Sequence, residues 1–174
     1  QARALSTKRQ LRLDQVLREI KTSLDQTADR AGAHMHWAGL MTGMGKYDAA
    51  VQAYQTAMRV QPKTTGPRSN LAALYEDMAG QRQQSGQAAE GVRYQQAAQQ
   101  LRRAELPLLI RDAKLLPDNA MLQFRLGSAL YLDGQWQEAM KSLKRAAEIE
   151  PDNSQYQTMV RLLQQKLDDP SSRD

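Results

Sequence analysis

The sequence repeats itself, and the repeat limits what it can fold into. Residues 45–62, GKYDAAVQAYQTAMRVQP, lie over residues 134–151, GQWQEAMKSLKRAAEIEP, at a constant offset of 89. Gly45/Gly134, Tyr47/Trp136, Ala50/Ala139, Tyr54/Leu143, Ala57/Ala146 and Pro62/Pro151 fall in register. Continued backward, the same frame puts Trp37 over Leu126 and Ala38 over Gly127. Self-similarity of this kind marks supersecondary units that bury their apolar faces by stacking. Each unit reads as two helices of about 14 residues joined by a short turn.

The residue types suit that geometry. Antiparallel helices approach closely only where side chains are small, which accounts for Ala38, Ala72 and Gly127 in first helices and Ala50, Ala57, Ala139 and Ala146 in second ones. Trp37, Leu71, Leu126, Tyr54 and Leu143 fill the space beside them. Prolines 62, 117 and 151 follow helix ends, and the Asp-Asn pairs 118–119 and 152–153 suit the start of a next helix. The apolar fraction of 41% comes mostly from Ala, Leu and Met, with one Phe, so there is little from which to build strands.

This pattern resembles the tetratricopeptide repeat, a 34-residue helix-turn-helix unit with W-x2-L-G-x2-Y, then A-x3-F, then P. The last unit matches through Leu126, Gly127, Ala139, Leu143 and Pro151, and departs at Gln123 and Leu130. The first matches through Trp37, Ala38, Ala50, Tyr54 and Pro62, and departs at His34 and Met41. A middle copy places Leu71, Ala72 and Tyr75 34 residues after Trp37, Ala38 and Met41. The resemblance implies an all-α fold, a right-handed α-α superhelix of about three repeats with capping helices.

One domain over 1–174 is expected, with repeats at 31–64, 65–119 and 120–153. The middle repeat spans 55 residues and so carries 21 beyond the usual 34. Gly80 and Gly86 mark expected breaks in it: a first helix to about Met78 or somewhat beyond, a turn at Ser85 and Gly86, and a second helix over about 88–115, with a kink or restart near 103–107 at Pro107. Leu13, Val16, Leu17, Ile20 and Leu24 form one stripe, so residues 4–28 read as an amphipathic helix covering repeat one. Residues 154–168 read as a capping helix with Tyr156, Val160 and Leu163 inward, and 169–174 as a disordered tail. A start at Gln1 directly before helix suggests an excised piece of a longer polypeptide.

Chemistry is thin. GLMTGMGKYDAA, residues 39–50, looks like a phosphate loop, but G-x4-G-K-[ST] requires Gly at 40 and Ser or Thr at 47, where Leu40 and Tyr47 stand. His34 and His36 lie two apart on a helix and point in different directions, so they do not make a metal pair. The chain has no Cys, which excludes disulfides and thiol chemistry within it. No metal, no cofactor and no catalytic activity is expected. The longest apolar stretch, LPLLI at 106–110, is too short to span a membrane. The net charge of +5 raises the alternative of nucleic-acid binding through the basic stretches KRQLRLDQVLREIK and LRRAELPLLIRDAK, but the aromatics lie elsewhere, so these read as solvated helix faces.

The resemblance implies a protein-interaction module that takes a peptide or partner protein in a concave groove, or another region of its own full-length chain as an intramolecular scaffold. The family lines that groove with positions 2, 5, 9, 12 and 13 of each first helix. Here these are Gly32, Met35, Gly39, Thr42 and Gly43; Gly66, Ser69, Ala73, Glu76 and Asp77; and Met121, Phe124, Ser128, Tyr131 and Leu132. Phe124 and Tyr131, seven apart on one face, are the expected hot spot. Family members that clamp acidic chaperone C-termini use five basic or Asn positions; Asn70 and Arg125 fill two, while Met35, Gly39 and Met121 fill the others, so that clamp is not expected. The order of elements also looks like the C-terminal repeat region of some bacterial multihaem c-type cytochromes, which would place the chain in an exported, periplasmic protein. It would bind no haem itself, since it has no CxxCH.

Overall fold

The computed structural model describes residues 2–169. Among these residues the elements are α1 (Ala2–Ser23), a 3-10 turn (Leu24–Gln26), α2 (Arg30–Gly43), α3 (Tyr47–Val60), α4 (Pro67–Gln84), α5 (Ala88–Leu115), α6 (Ala120–Leu132), α7 (Trp136–Ile149) and α8 (Ser154–Asp168). The tail expected after Asp169 lies outside the described residues. The chain divides into two compact units, residues 1–74 and 75–174.

Three turns between paired helices share one geometry. Gly45, Gly86 and Gly134 have φ of 69°, 78° and 80°. At each, the glycine N–H bonds the carbonyl three residues back, and the next N–H bonds the carbonyl five back: Gly45 to Thr42 and Lys46 to Met41, Gly86 to Gln83 and Gln87 to Arg82, Gly134 to Tyr131 and Gln135 to Leu130. This is the Schellman arrangement, in which a left-handed residue satisfies the last helical carbonyls. The lysine-glycine pair of residues 45–46 is therefore a helix-reversal turn and not a phosphate cradle. Helix starts are equally regular: Asn119 and Asn153 cap α6 and α8 by accepting from Leu122 and Gln155, and Pro67 is the first residue of α4.

The extra residues of the middle segment lengthen its two helices. Leu71 lies fifteen residues before Gly86, whereas Trp37 lies eight before Gly45; Gly86 lies thirty-one before Pro117, whereas Gly45 lies seventeen before Pro62. The additions are thus seven and fourteen residues, about two and four helical turns, and multiples of seven nearly preserve a helix's facing. Two expected breaks are absent here. Gly80 does not break α4, which runs on to Gln84, because Met78 and Ala79 are buried and hold the backbone in helix past it. Pro107 does not restart α5, which is unbroken from Ala88 to Leu115. The burial of Glu105, Leu109 and Ala113 on either side offsets the lost backbone hydrogen bond, and Pro107 itself faces solvent.

In unit 1, Ala38, Ala50 and Ala57 are fully buried where α2 meets α3, with Trp37, Met41 and Tyr54 around them. The expectation for the N-terminal helix needs correction. It ends at Ser23, and of its stripe only Leu17 and Leu24 are buried, while Leu13, Val16 and Ile20 remain about 40% exposed (40%, 43% and 39%). In unit 2, one core joins Leu109 and Ala113 of α5, Leu126 and Leu130 of α6, Ala139, Met140 and Leu143 of α7, and Leu163 of α8. Truncating a side chain as enclosed as Leu143 or Leu163 costs roughly 2–5 kcal/mol.

Candidate functional site

The lengthened hairpin builds a broad recess in unit 2. After the Gly86 turn, the second half of α4 and the start of α5 approach so closely that a Cβ on Gly91 would stand 3.0 Å from the Ala79 carbonyl oxygen. Tyr75 and Tyr94 then meet with ring centroids 5.6 Å apart, and further along Arg102 grips Glu76 through Nε at 3.1 Å and through a second, shorter contact. Burial, with the neighbouring Tyr94, raises the Tyr75 phenol above its ordinary value.

This docking leaves one face of α5 open. Val92, Gln95, Gln96, Gln99 and Arg102 recur at helical spacing and, with Glu76 and Leu132, line a groove of about 540 Å³. A recess of about 90 Å³ continues it past Leu106, Ala129 and Asp133, sharing Gln99, Arg102 and Leu132. The amides of Gln95, Gln96 and Gln99 have no hydrogen-bond partner among the described residues, while Val92 and Leu132 expose 45% and 55% of their surface. Each amide offers two donors and an acceptor, which matches the alternating groups of an extended backbone. The guanidinium groups are already engaged: Arg102 by Glu76, Arg103 by Asp133 at 4.0 Å, and Arg111 by Asp112. Three of the four basic side chains of this α5 stretch therefore have an acidic neighbour, which weakens the nucleic-acid alternative.

The expected groove residues fall into three groups. In unit 1, Gly39 and Ala73 are exposed and Met35, Thr42 and Ser69 half-buried. The Thr42 hydroxyl donates to the Ala38 carbonyl oxygen at 2.9 Å and also meets Tyr54, whose phenol burial raises while hydrogen bonds to Thr42 and Asn70 pull it back. Two glycines expected in the groove serve the backbone: Gly32 donates its N–H to the capping Asp29, and Gly66 precedes α4 with φ of 116°. In unit 2, Glu76 lines the groove while Asp77 is simply exposed. The expected hot spot is covered by α8. Phe124 stacks on Tyr156 at 4.7 Å between ring centroids, and Lys166 sits over Tyr131 at 5.3 Å and over Trp136 at 4.5 Å. Ser128, between them on α6, is half-buried.

Sequence reasoning missed Val92, Gln95, Gln96 and Gln99, whose signal was the i, i+3, i+4, i+7 spacing within a segment that reads as a bland Gln/Ala run. Arg125, one of the two matches to the acidic-terminus clamp, is spent on buried Glu105 at 2.8 Å. Among the described residues, no group of three or more His, Asp or Glu side chains could hold a metal ion, and no helix is long and apolar enough to cross a membrane.

Comparison with known proteins fits the repeat frame. A family model of the tetratricopeptide repeat matches residues 120–153, and a second model of the same repeat matches residues 42–64. Among solved structures, the chain is similar to the MamA RS-1 ArsTM double mutant, with 16% identity over 98% of this chain and 85% of that one and a TM-score of 0.57. It is similar to MamA 41-end from Desulfovibrio magneticus RS-1, with 16% identity over 97% and 85% and a TM-score of 0.57. A third likeness is to MamA AMB-1 in its C2221 form, with 18% identity over 90% and 79% and a TM-score of 0.54. No curated protein matches the sequence. These likenesses concern the fold, and they lend no support to a cytochrome-fusion origin or a periplasmic location. The chain carries tetratricopeptide repeats, matched at residues 42–64 and 120–153, in an all-α fold shared with those structures.

Proposed function

We propose that this chain is a non-catalytic protein-interaction module whose unit 2 holds an extended segment along the open face of α5. The segment belongs to a partner protein or to another stretch of the full-length chain. One observation carries this reading: a groove of about 540 Å³ in which three glutamine amides lack partners among the described residues and two apolar side chains lie exposed. Amides spaced along one helical face can bond a backbone whatever its sequence, and Val92 and Leu132 offer contact for alternate side chains. Met35, Gly39, Thr42, Ser69 and Ala73 remain candidate contacts within unit 1, as do Phe124, Ser128 and Tyr131 wherever α8 is displaced.

A photo-reactive residue at Gln96, with one at exposed Lys144 of α7 as control, tests the reading in the full-length protein. The expected result is a discrete adduct at Gln96 to one peptide segment, absent at Lys144 and lost on adding Val92→Asp. Equal labelling at both positions would sink the assignment of this face. An adduct mapping to the same polypeptide would identify the intramolecular form.

A further inference from the structure

A second cavity, of about 150 Å³, lies in unit 1 where the 3-10 turn, α2 and α3 meet. Its inner wall is formed by Leu24, Trp37 and Ala53, which are 7%, 7% and 5% exposed, together with the imidazole of His34 at 8%. This volume is enough for a body the size of benzene, whose ring would lie against Leu24, Trp37 and Ala53. Apart from His34, the polar lining groups include the exposed Lys21 and Gln52. Lys21 has no ion-pair or hydrogen-bond partner among the described residues. The Thr56 hydroxyl donates to the Gln52 carbonyl oxygen at 2.9 Å and accepts from Arg59 at 3.5 Å, and Arg59 has no acidic partner among the described residues. Among the described residues, none of those lining it is a carboxylate.

We propose that this cavity is a binding site for a small apolar carboxylate, an aromatic or branched aliphatic acid of benzene-like body. The ring occupies the space beside Trp37 and Ala53, and the carboxylate meets the Lys21 ammonium at the mouth, with Arg59 adding positive charge behind Thr56. Desolvation of the ring supplies affinity, and the ion pair sets preference for an anion over a neutral isostere. A body filling the cavity also adds contact beside Leu24, the buried residue that follows α1 in the 3-10 turn.

Titration of the isotope-labelled chain with phenylacetate, phenylacetamide and acetate tests the site. Expected are saturable shifts of the Ala49 and Ala53 methyls and the Trp37 indole, with a dissociation constant on the order of 1 mM for phenylacetate. Phenylacetamide binds about three- to fivefold more weakly, as one exposed ion pair allows, and acetate alone produces no saturable change. Ala53→Leu fills the cavity and removes the response. Lys21→Ala, on an exposed helix position that does not threaten folding, leaves the ring binding but makes acid and amide equal. The proposal is overturned if these three reporters do not saturate, or if acid and amide bind equally in the unmodified chain.

Discussion

Gly127 and Leu143 touch without room for one more carbon: a Cβ on Gly127 would stand 2.6 Å from Leu143 Cγ and 3.0 Å from the Leu143 backbone nitrogen. The backbone nitrogen cannot swing aside as a side chain can, so α6 and α7 must separate to admit a methyl group. We expect Gly127→Ala to destabilise the chain by about 1–3 kcal/mol, despite alanine's better helix propensity. Urea denaturation checks this, and an unchanged midpoint would show the contact to be soft.

Gly39 and Gly80 are the contrasting cases, because a Cβ at either would meet nothing within 4 Å. Both lie inside helices, α2 and α4, where glycine costs about 0.5–1 kcal/mol relative to alanine. Gly39→Ala and Gly80→Ala should each raise the denaturation midpoint by an amount in that range. A loss of stability at either position would mean that backbone freedom there is needed by the fold.

These glycines show why part of the fold is legible in sequence and part is not. The turn glycines and the small residues at helix contacts recur because backbone geometry and close approach permit few alternatives, so the repeat frame and the middle segment's second helix can be placed from residue types alone. Whether Gly80 breaks a helix depends on the burial of Met78 and Ala79, and whether Pro107 interrupts one depends on the packing of Glu105 and Leu109. Those are tertiary contacts with no local signature. The same holds for the site: Phe124 and Tyr131 read as a free aromatic face, and only the placement of Tyr156 and Lys166 on α8 shows it to be occupied. The glutamines of α5 were visible, but their residue type gave no hint of a groove.

Glu105 is 1% exposed and pairs at 2.8 Å with Arg125, whose side chain is 28% exposed. An ion pair so placed contributes little over an apolar pair, but removing Arg125 takes from the buried Glu105 carboxylate its cationic neighbour. Arg125→Met should cost on the order of 2–3 kcal/mol at neutral pH, somewhat less than for a fully enclosed pair because Arg125 is partly solvated. The double change Glu105→Leu with Arg125→Met should recover much of that loss. A denaturation cycle over the four variants measures the coupling, and additive single losses would show the two residues to be independent.

Stability should fall at alkaline pH through three tyrosines. Burial raises the phenols of Tyr54, Tyr75 and Tyr156; hydrogen bonds to Thr42 and Asn70 partly oppose it at Tyr54, while neighbouring Tyr94 and Glu150 reinforce it at the other two. Each group holds its proton more firmly folded than unfolded, where the phenol titrates near about pH 10. Their contribution is thus fully present below that pH and is lost as the pH climbs through the raised folded values, because the unfolded chain then releases protons that the folded chain retains. The denaturation midpoint should drop from about pH 10 upward, with tyrosinate absorbance appearing together with unfolding. Tyr156→Phe, which keeps the ring stacked on Phe124, should flatten that decline while barely changing stability at neutral pH. If the decline is as steep in the Phe variant, Tyr156 has no part in alkaline unfolding.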